Sequence, residues 1–165
     1  SAIRDDDPVV FLEHKLLYAH KEEIPDGEYT IPLGAADVKR AGRDLTIITW
    51  SREVHFALEA AQTLEAEGID VEVIDPRTIA PLDKDTIFNS IRKTHRAAVV
   101  EESNKTAGIG AELAAMFQEE LYDELDGPVA RIAALDVPMP YNIAMEHYSI
   151  PDANRICASI RAMMD

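Results

Sequence analysis

Residues 101–113, EESNKTAGIGAEL, form the stretch whose residue types and spacing most suggest chemistry. Apolar RAAVV precedes it and AAMFQEELYDEL follows, so the order reads as strand, glycine loop, helix. Phosphates bind at such junctions, because free backbone N–H groups and the helix dipole attract anions. A dinucleotide fingerprint requires G-x-G-x-x-G, but Gly108-x-Gly110 is followed by Leu113 where the third glycine belongs. A P-loop requires G-x-x-x-x-G-K-[ST], and the sequence contains no such string. Glu101 and Glu102 at the strand end repel a phosphate, and Lys105 offsets only part of their charge. The expected role is a tight turn with close helix–sheet approach.

Other reactive residue types are scattered. The five histidines show no H-x-x-x-H or H-E-x-x-H spacing, which argues against a metal site. His55, near Arg52, Glu53 and Glu59, is the one with acid–base potential, although a satisfied helix histidine explains it more simply. No G-x-S-x-G elbow surrounds a serine. Cys157 is the only cysteine; it excludes an internal disulfide, fits a reducing compartment and reads as a packing residue beside Ile156 and Ile160. In VIDPRT, Pro76 must end a strand, and Asp75 can accept a following N–H in an Asx turn. The runs of paired acids read as solvated faces.

The elements that position these residues alternate from Asp44 onward. LTIITW (45–50), VEVID (71–75), RAAVVEE (96–102) and VARIAAL (129–135) are strand-like. Residues 52–68 carry Val54, Leu58, Ala61 and Leu64 at helical spacing, with Gly68 as a stop. Asp83 caps a helix with Ile87, Phe88 and Ile91 inward. The helix after the glycine loop aligns Ile109, Leu113, Met116, Phe117 and Leu121. The last helix starts near SIPDANRI, with Ser149 and Asp152 as a capping box. This rhythm predicts an α/β fold: a doubly wound, mostly parallel sheet with helices on both faces. Ligands then bind beyond the carboxyl ends of the strands, where Arg52, Arg77 and Lys105 could form a small anion-attracting rim. Before Asp44, PVVFLEH (8–14) is strand-like and the following segment, polar and rich in proline and glycine, reads as a connector.

Composition sets the outer limits. The 165 residues suit one domain, 47% hydrophobic, with 31 acidic residues against 16 basic and a formal net charge of −15. That charge argues against nucleic-acid binding, which needs a basic face; it leaves room for a basic protein partner and is explained equally well by solubility. No apolar run approaches the roughly 20 residues that cross a bilayer. A soluble, intracellular protein is expected.

The assembled strings then show a resemblance. DDPVVFLEHKLLY, EYTIPLGAADVKRAG, LTIITWSREVHFALEAA, VEVIDPRTIAPLDKDTI, VVEES…GIGAELAA and ALDVPMPY resemble, in order, the β subunit of thiamine-diphosphate-dependent 2-oxoacid dehydrogenases. This is the E1 component of pyruvate, branched-chain 2-oxoacid or acetoin dehydrogenase complexes. The resemblance implies a pyrimidine-binding-domain tail at 1–14, a linker at 15–43 and a transketolase-type C-terminal domain at 44–165. It implies thiamine diphosphate and Mg2+ for the parent enzyme, bound by the α subunit and the upstream part of the β subunit. No catalytic, cofactor-binding or metal residue is therefore assigned to this segment. Implied partners are the E1 α subunit, a second β subunit and the small, basic subunit-binding domain of E2. Glu124, Asp126 and Asp165 are the candidate docking residues. A bacterial cytoplasm, or alternatively a mitochondrial matrix, is the implied setting. Alternative readings are the C-terminal domain of another transketolase-like enzyme and a free-standing interaction module.

Overall fold

A computed structural model describes residues 1–164; Asp165 lies outside the described residues. Five strands, β1 (Asp37–Arg40), β2 (Leu45–Thr49), β3 (Val71–Asp75), β4 (Ala97–Asn104) and β5 (Ala130–Ala134), form one sheet in the order β1-β3-β2-β4-β5. β2 to β5 run parallel, with Leu45 opposite Val71, Thr46 opposite Ala97 and Ala98 opposite Ala130. The edge strand β1 pairs antiparallel with β3. Five helices connect or follow the strands: α1 (Glu53–Glu65), α2 (Lys84–Thr94), α3 (Ile109–Leu121), α4 (Ile143–Ser149) and α5 (Ala153–Met164).

Side-chain alternation along the strands builds a core on each face. Leu45, Ile47, Val71, Val73, Ala98 and Val100 pack with the buried stripes of α1 and α5. The other set, Ile48, Ile74, Ala97 and Val99, packs against Ile87, Phe88 and Ile91 of α2 and Leu113, Phe117 and Leu121 of α3. The strands are thus buried on both faces, as doubly wound parallel sheets require. Polar residues inside the second face are bonded to each other. Thr46 Oγ1 lies 2.6 Å from Ser90 Oγ and 2.8 Å from Thr94 Oγ1. Glu72 accepts from the Gly42 N–H at 3.1 Å and from Ser90 and Lys93.

The chain goes from β2 outward to β3, returns across β2 to β4, and continues to β5. Winding therefore reverses between β2 and β4, and the crevice beyond their carboxyl ends is the topological switch point where open α/β sheets place ligands.

Local expectations are mostly met. Asp83 caps α2, its Oδ1 accepting the Thr86 N–H at 3.1 Å, and Asp152 Oδ1 accepts the Arg155 N–H at 2.8 Å at the start of α5. Asp75 makes the Asx turn, accepting the Arg77 N–H at 2.9 Å. Four expectations need correction. PVVFLEH forms no strand, because no neighbouring edge pairs with it and Val9 to Leu12 stay exposed. β1 lies inside the segment read as a connector. Ser149 ends α4 rather than capping α5; its Oγ donates to the Met145 carbonyl at 2.8 Å. Ile109 points outward at 40% exposure.

Candidate functional site

The carboxyl edge at the β2–β4 switch point is where chemistry would sit, so its residues are built up in turn. β4 delivers Glu101 to the α3 face, on the same side as Ala97 and Val99 by strand alternation. Only 1% exposed, Glu101 is met there by the glycine loop: the Gly110 N–H donates to its Oε1 at 3.1 Å, and Ser103 Oγ to its Oε2 at 2.6 Å. A Cβ on Gly108 would lie 2.6 Å from that Oε1, and one on Gly110 only 2.5 Å from it. The glycines are thus required for close approach, while the left-handed position of the loop is Ala107 at φ 61°. The anion at the α3 start is the protein's own carboxylate. A diphosphate does not fit a helix start filled in this way, and no group of three or more His, Cys, Asp or Glu suited to a metal ion is found among the described residues.

The next β4 residue, Glu102, faces the other way. Its Oε2 lies 2.9 Å from His14 Nε2 on the N-terminal segment, and its Oε1 lies 3.5 Å from Arg52 Nη1 at the start of α1. Arg52 also lies over the Phe56 ring, 5.0 Å from its centroid. Beside Arg52, Glu53 is 1% exposed, and neither carboxylate oxygen has a hydrogen-bond partner among the described residues. Burial, then the charge of Glu102, push its carboxyl up to about 8; Asp152 adds to the shift, while Arg52 and Arg155 oppose it. Two residues on, His55 stacks on His20 with ring centroids 4.1 Å apart, and burial followed by the neighbouring His20 lowers its pKa.

The expected cationic rim is not assembled. Arg52 is committed to Glu102, and Arg77 to Asp37 of β1 at 2.8 Å. Lys105 belongs to a loop fastened toward β5, where its N–H reaches the Ala134 carbonyl at 3.2 Å. The DVPMPY stretch helps fasten that loop: Asp136 accepts from the Thr106 N–H at 2.9 Å and from Thr106 Oγ1 at 2.7 Å, bonds that hold its carboxyl below the ordinary value. A groove of about 950 Å3 lies elsewhere, between the N-terminal segment (Val9, Phe11, Tyr29, Ile31) and Asp75 and Arg77.

Glu124, which closes a 3-10 turn (Tyr122–Glu124), and Asp126 lie between α3 and β5, at the opposite end of the strands. Glu124 and Asp126 are both exposed. Asp126 Oδ2 is 3.7 Å from Arg96 Nη2, and its N–H donates to the His95 carbonyl at 2.8 Å. The Glu124 carbonyl lies 2.8 Å from His95 Nδ1. Sequence reasoning passed over Glu53, since a glutamate opening a helix reads as a solvated, dipole-favouring residue.

With this sheet order, helix placement and a switch point filled by its own side chains, the chain belongs to the transketolase C-terminal domain family, whose model matches residues 34–156. It is 49% identical over its full length to the pyruvate dehydrogenase E1 component subunit beta of Porphyra purpurea, covering 50% of that protein. Over 94% of its length it is 43% identical to the acetoin:2,6-dichlorophenolindophenol oxidoreductase subunit beta of Bacillus subtilis, covering 46% of it. Among solved structures, a split gene transketolase described as an inactive beta4 tetramer superposes with a TM-score of 0.71 at 28% identity, covering 86% of this chain and 45% of that one. The chain spans about half the length of the curated relatives it matches.

Proposed function

We propose that this chain is the C-terminal segment of an E1 β subunit of a 2-oxoacid dehydrogenase complex. The parent enzyme decarboxylates a 2-oxo acid with thiamine diphosphate and Mg2+ and reductively acylates a lipoyl group on E2. End-to-end similarity to E1 β subunits, 49% identity across all of this chain, carries the reading. Residues 1–14 then belong to the tail of the preceding pyrimidine-binding domain, 15–43 to the linker and 44–165 to the C-terminal domain. The segment supplies assembly with the α subunit and a second β subunit, and docking to E2; cofactor and metal are held by the other parts of the enzyme. Relatives from bacteria and a mitochondrial relative support a bacterial cytoplasm or a mitochondrial matrix.

Docking rests on charge. A chain of net charge −15 presents Glu124 and Asp126 on the exposed connection before β5, and Asp165 at the chain end joins them as a candidate. Opposite potentials speed encounter with a small basic domain and make it salt-dependent. The test joins this segment to its upstream half and the cognate α subunit, then measures decarboxylation of pyruvate, branched-chain 2-oxo acids and acetoin turnover, together with affinity for the E2 subunit-binding domain at two salt concentrations. Thiamine-diphosphate-dependent turnover of one substrate, and weaker E2 binding in Asp126→Ala or without Asp165, are expected. No turnover overturns the enzymatic reading. Unchanged, salt-independent affinity in both variants places docking elsewhere.

A further inference from the structure

The first turn of α1 carries more than its own helix. The N-terminal segment buries no residue before Gly42 and reaches the switch-point side of the sheet through two histidines. His14 contacts Glu102, which is shared with Arg52, and His20 stacks on His55. Arg52 and His55 flank Glu53 in that turn. A buried polar atom without a partner calls for an explanation, and here both oxygens of one carboxyl are orphaned. Around it stand Glu102 from β4, Asp152 and Arg155 from the start of α5, and Arg52 from its own turn. Two acids and two bases leave no net charge to balance an ionised Glu53. Arg52 is engaged with Glu102 and the Phe56 ring, and Arg155 donates to the Ala133 carbonyl at 2.7 Å.

We propose that Glu53 is a proton-operated latch: with its proton in place the first turn of α1 is closed and the N-terminal segment is tied to the sheet edge through His14 and His20; without it the turn opens and the segment is released. An unpaired carboxylate cannot stay in this interior, so its ionisation draws in water or Arg52. Either movement disturbs Glu102, which Arg52 shares with His14, or the His55 ring on which His20 stacks, and so reaches the two attachments of the segment, His14–Glu102 and His20–His55. What the latch sets is the orientation of an apolar stretch, Val9 to Leu12 and Leu16, relative to the domain; Val10 is 86% exposed and Leu12 90%. This inference stands on the chain's own residues and does not depend on the proposed enzymatic role.

Energy transfer from Trp50, the single tryptophan, to an acceptor on Ala19→Cys reads the attachment directly. Cys157 is buried and stays unlabelled in the folded protein. The labelled chain should lose transfer with a midpoint near pH 8, the value toward which burial and Glu102 push Glu53. In the same background Glu53→Gln should keep high transfer from pH 6.5 to 9.5. Glu53→Leu, a second non-ionising variant, should do the same, and circular dichroism verifies that each is folded. His20→Ala should show reduced transfer already at pH 6.5. A flat wild-type profile overturns the proposal. So does a wild-type-like fall in whichever non-ionising variant folds, since another group is then the one that titrates.

Discussion

The loop after β4 and the first turn of α1 both hold a glutamate that is 1% exposed, and they treat it in opposite ways. Around Glu101 the chain omits two β-carbons so that a backbone N–H and a serine hydroxyl reach the carboxylate. Around Glu53 no donor arrives, and the carboxyl keeps its proton instead. A buried acid can be satisfied by donors or neutralised by a proton, and only the second makes the structure sensitive to a rise in pH. Glu72, 2% exposed and bonded to Gly42, Ser90 and Lys93, belongs with Glu101.

Removing the ionisable group at α1 should have the largest effect. Because the folded carboxyl titrates at about 8 rather than at 4.5, the folded state holds a proton that the unfolded chain releases between those values. The stability due to that proton is complete below pH 4.5 and is lost as pH rises through 8. Chemical unfolding of wild type and Glu53→Gln at pH 5 and pH 9 should show the wild type losing roughly 3–5 kcal/mol relative to the variant. An identical pH dependence in the two proteins would mean that Glu53 is solvated as an ordinary carboxylate.

The glycine loop should respond less strongly. Gly110→Ala places a Cβ 2.5 Å from Glu101 Oε1 and 3.2 Å from Val99 Cγ1, and should cost about 2–3 kcal/mol. Gly127→Ala, with nothing within 4 Å of the added carbon, should stay within about 0.5 kcal/mol of wild type. Equal effects in thermal unfolding would remove close approach as the reason for the loop glycines. Smallest of the substantial changes is Asp75→Ala. It leaves the Arg77 N–H without its acceptor, and should lower stability by about 1 kcal/mol without changing turnover of the reconstituted enzyme. Lost turnover at unchanged melting temperature would give Asp75 a functional role.

Much of this was legible in the sequence where burial is continuous. β2 to β5 are short runs of β-branched and small apolar residues, and α1 to α3 carry apolar stripes, so periodicity located them. β1 escaped because Asp37–Arg40 is a polar edge strand with a register shift between Val38 and Arg40, and only its partner β3 makes it a strand. α4 escaped because its seven residues turn Ile143, Met145 and Tyr148 to solvent, leaving no inward stripe to read. In the candidate site, the glycine loop was read as structural on its missing third glycine and nearby acids. A sequence cannot show Glu101 turning inward to become the anion at the start of α3. Glu53 was illegible for a related reason: the charges that act on it come from Glu102 on β4 and from Asp152 and Arg155, about a hundred positions away at the start of α5. Arg52 and Arg77 looked like free cations until their carboxylate partners, Glu102 and Asp37, were placed beside them.

Glu101 fills the carboxyl-edge loop of this chain, which should leave no room there for a diphosphate. Calorimetric titration of thiamine diphosphate and Mg2+ into the 165-residue chain tests it directly. The predicted result is no saturable heat. A saturable isotherm with a micromolar dissociation constant would contradict the claim and return the glycine loop to the list of phosphate sites.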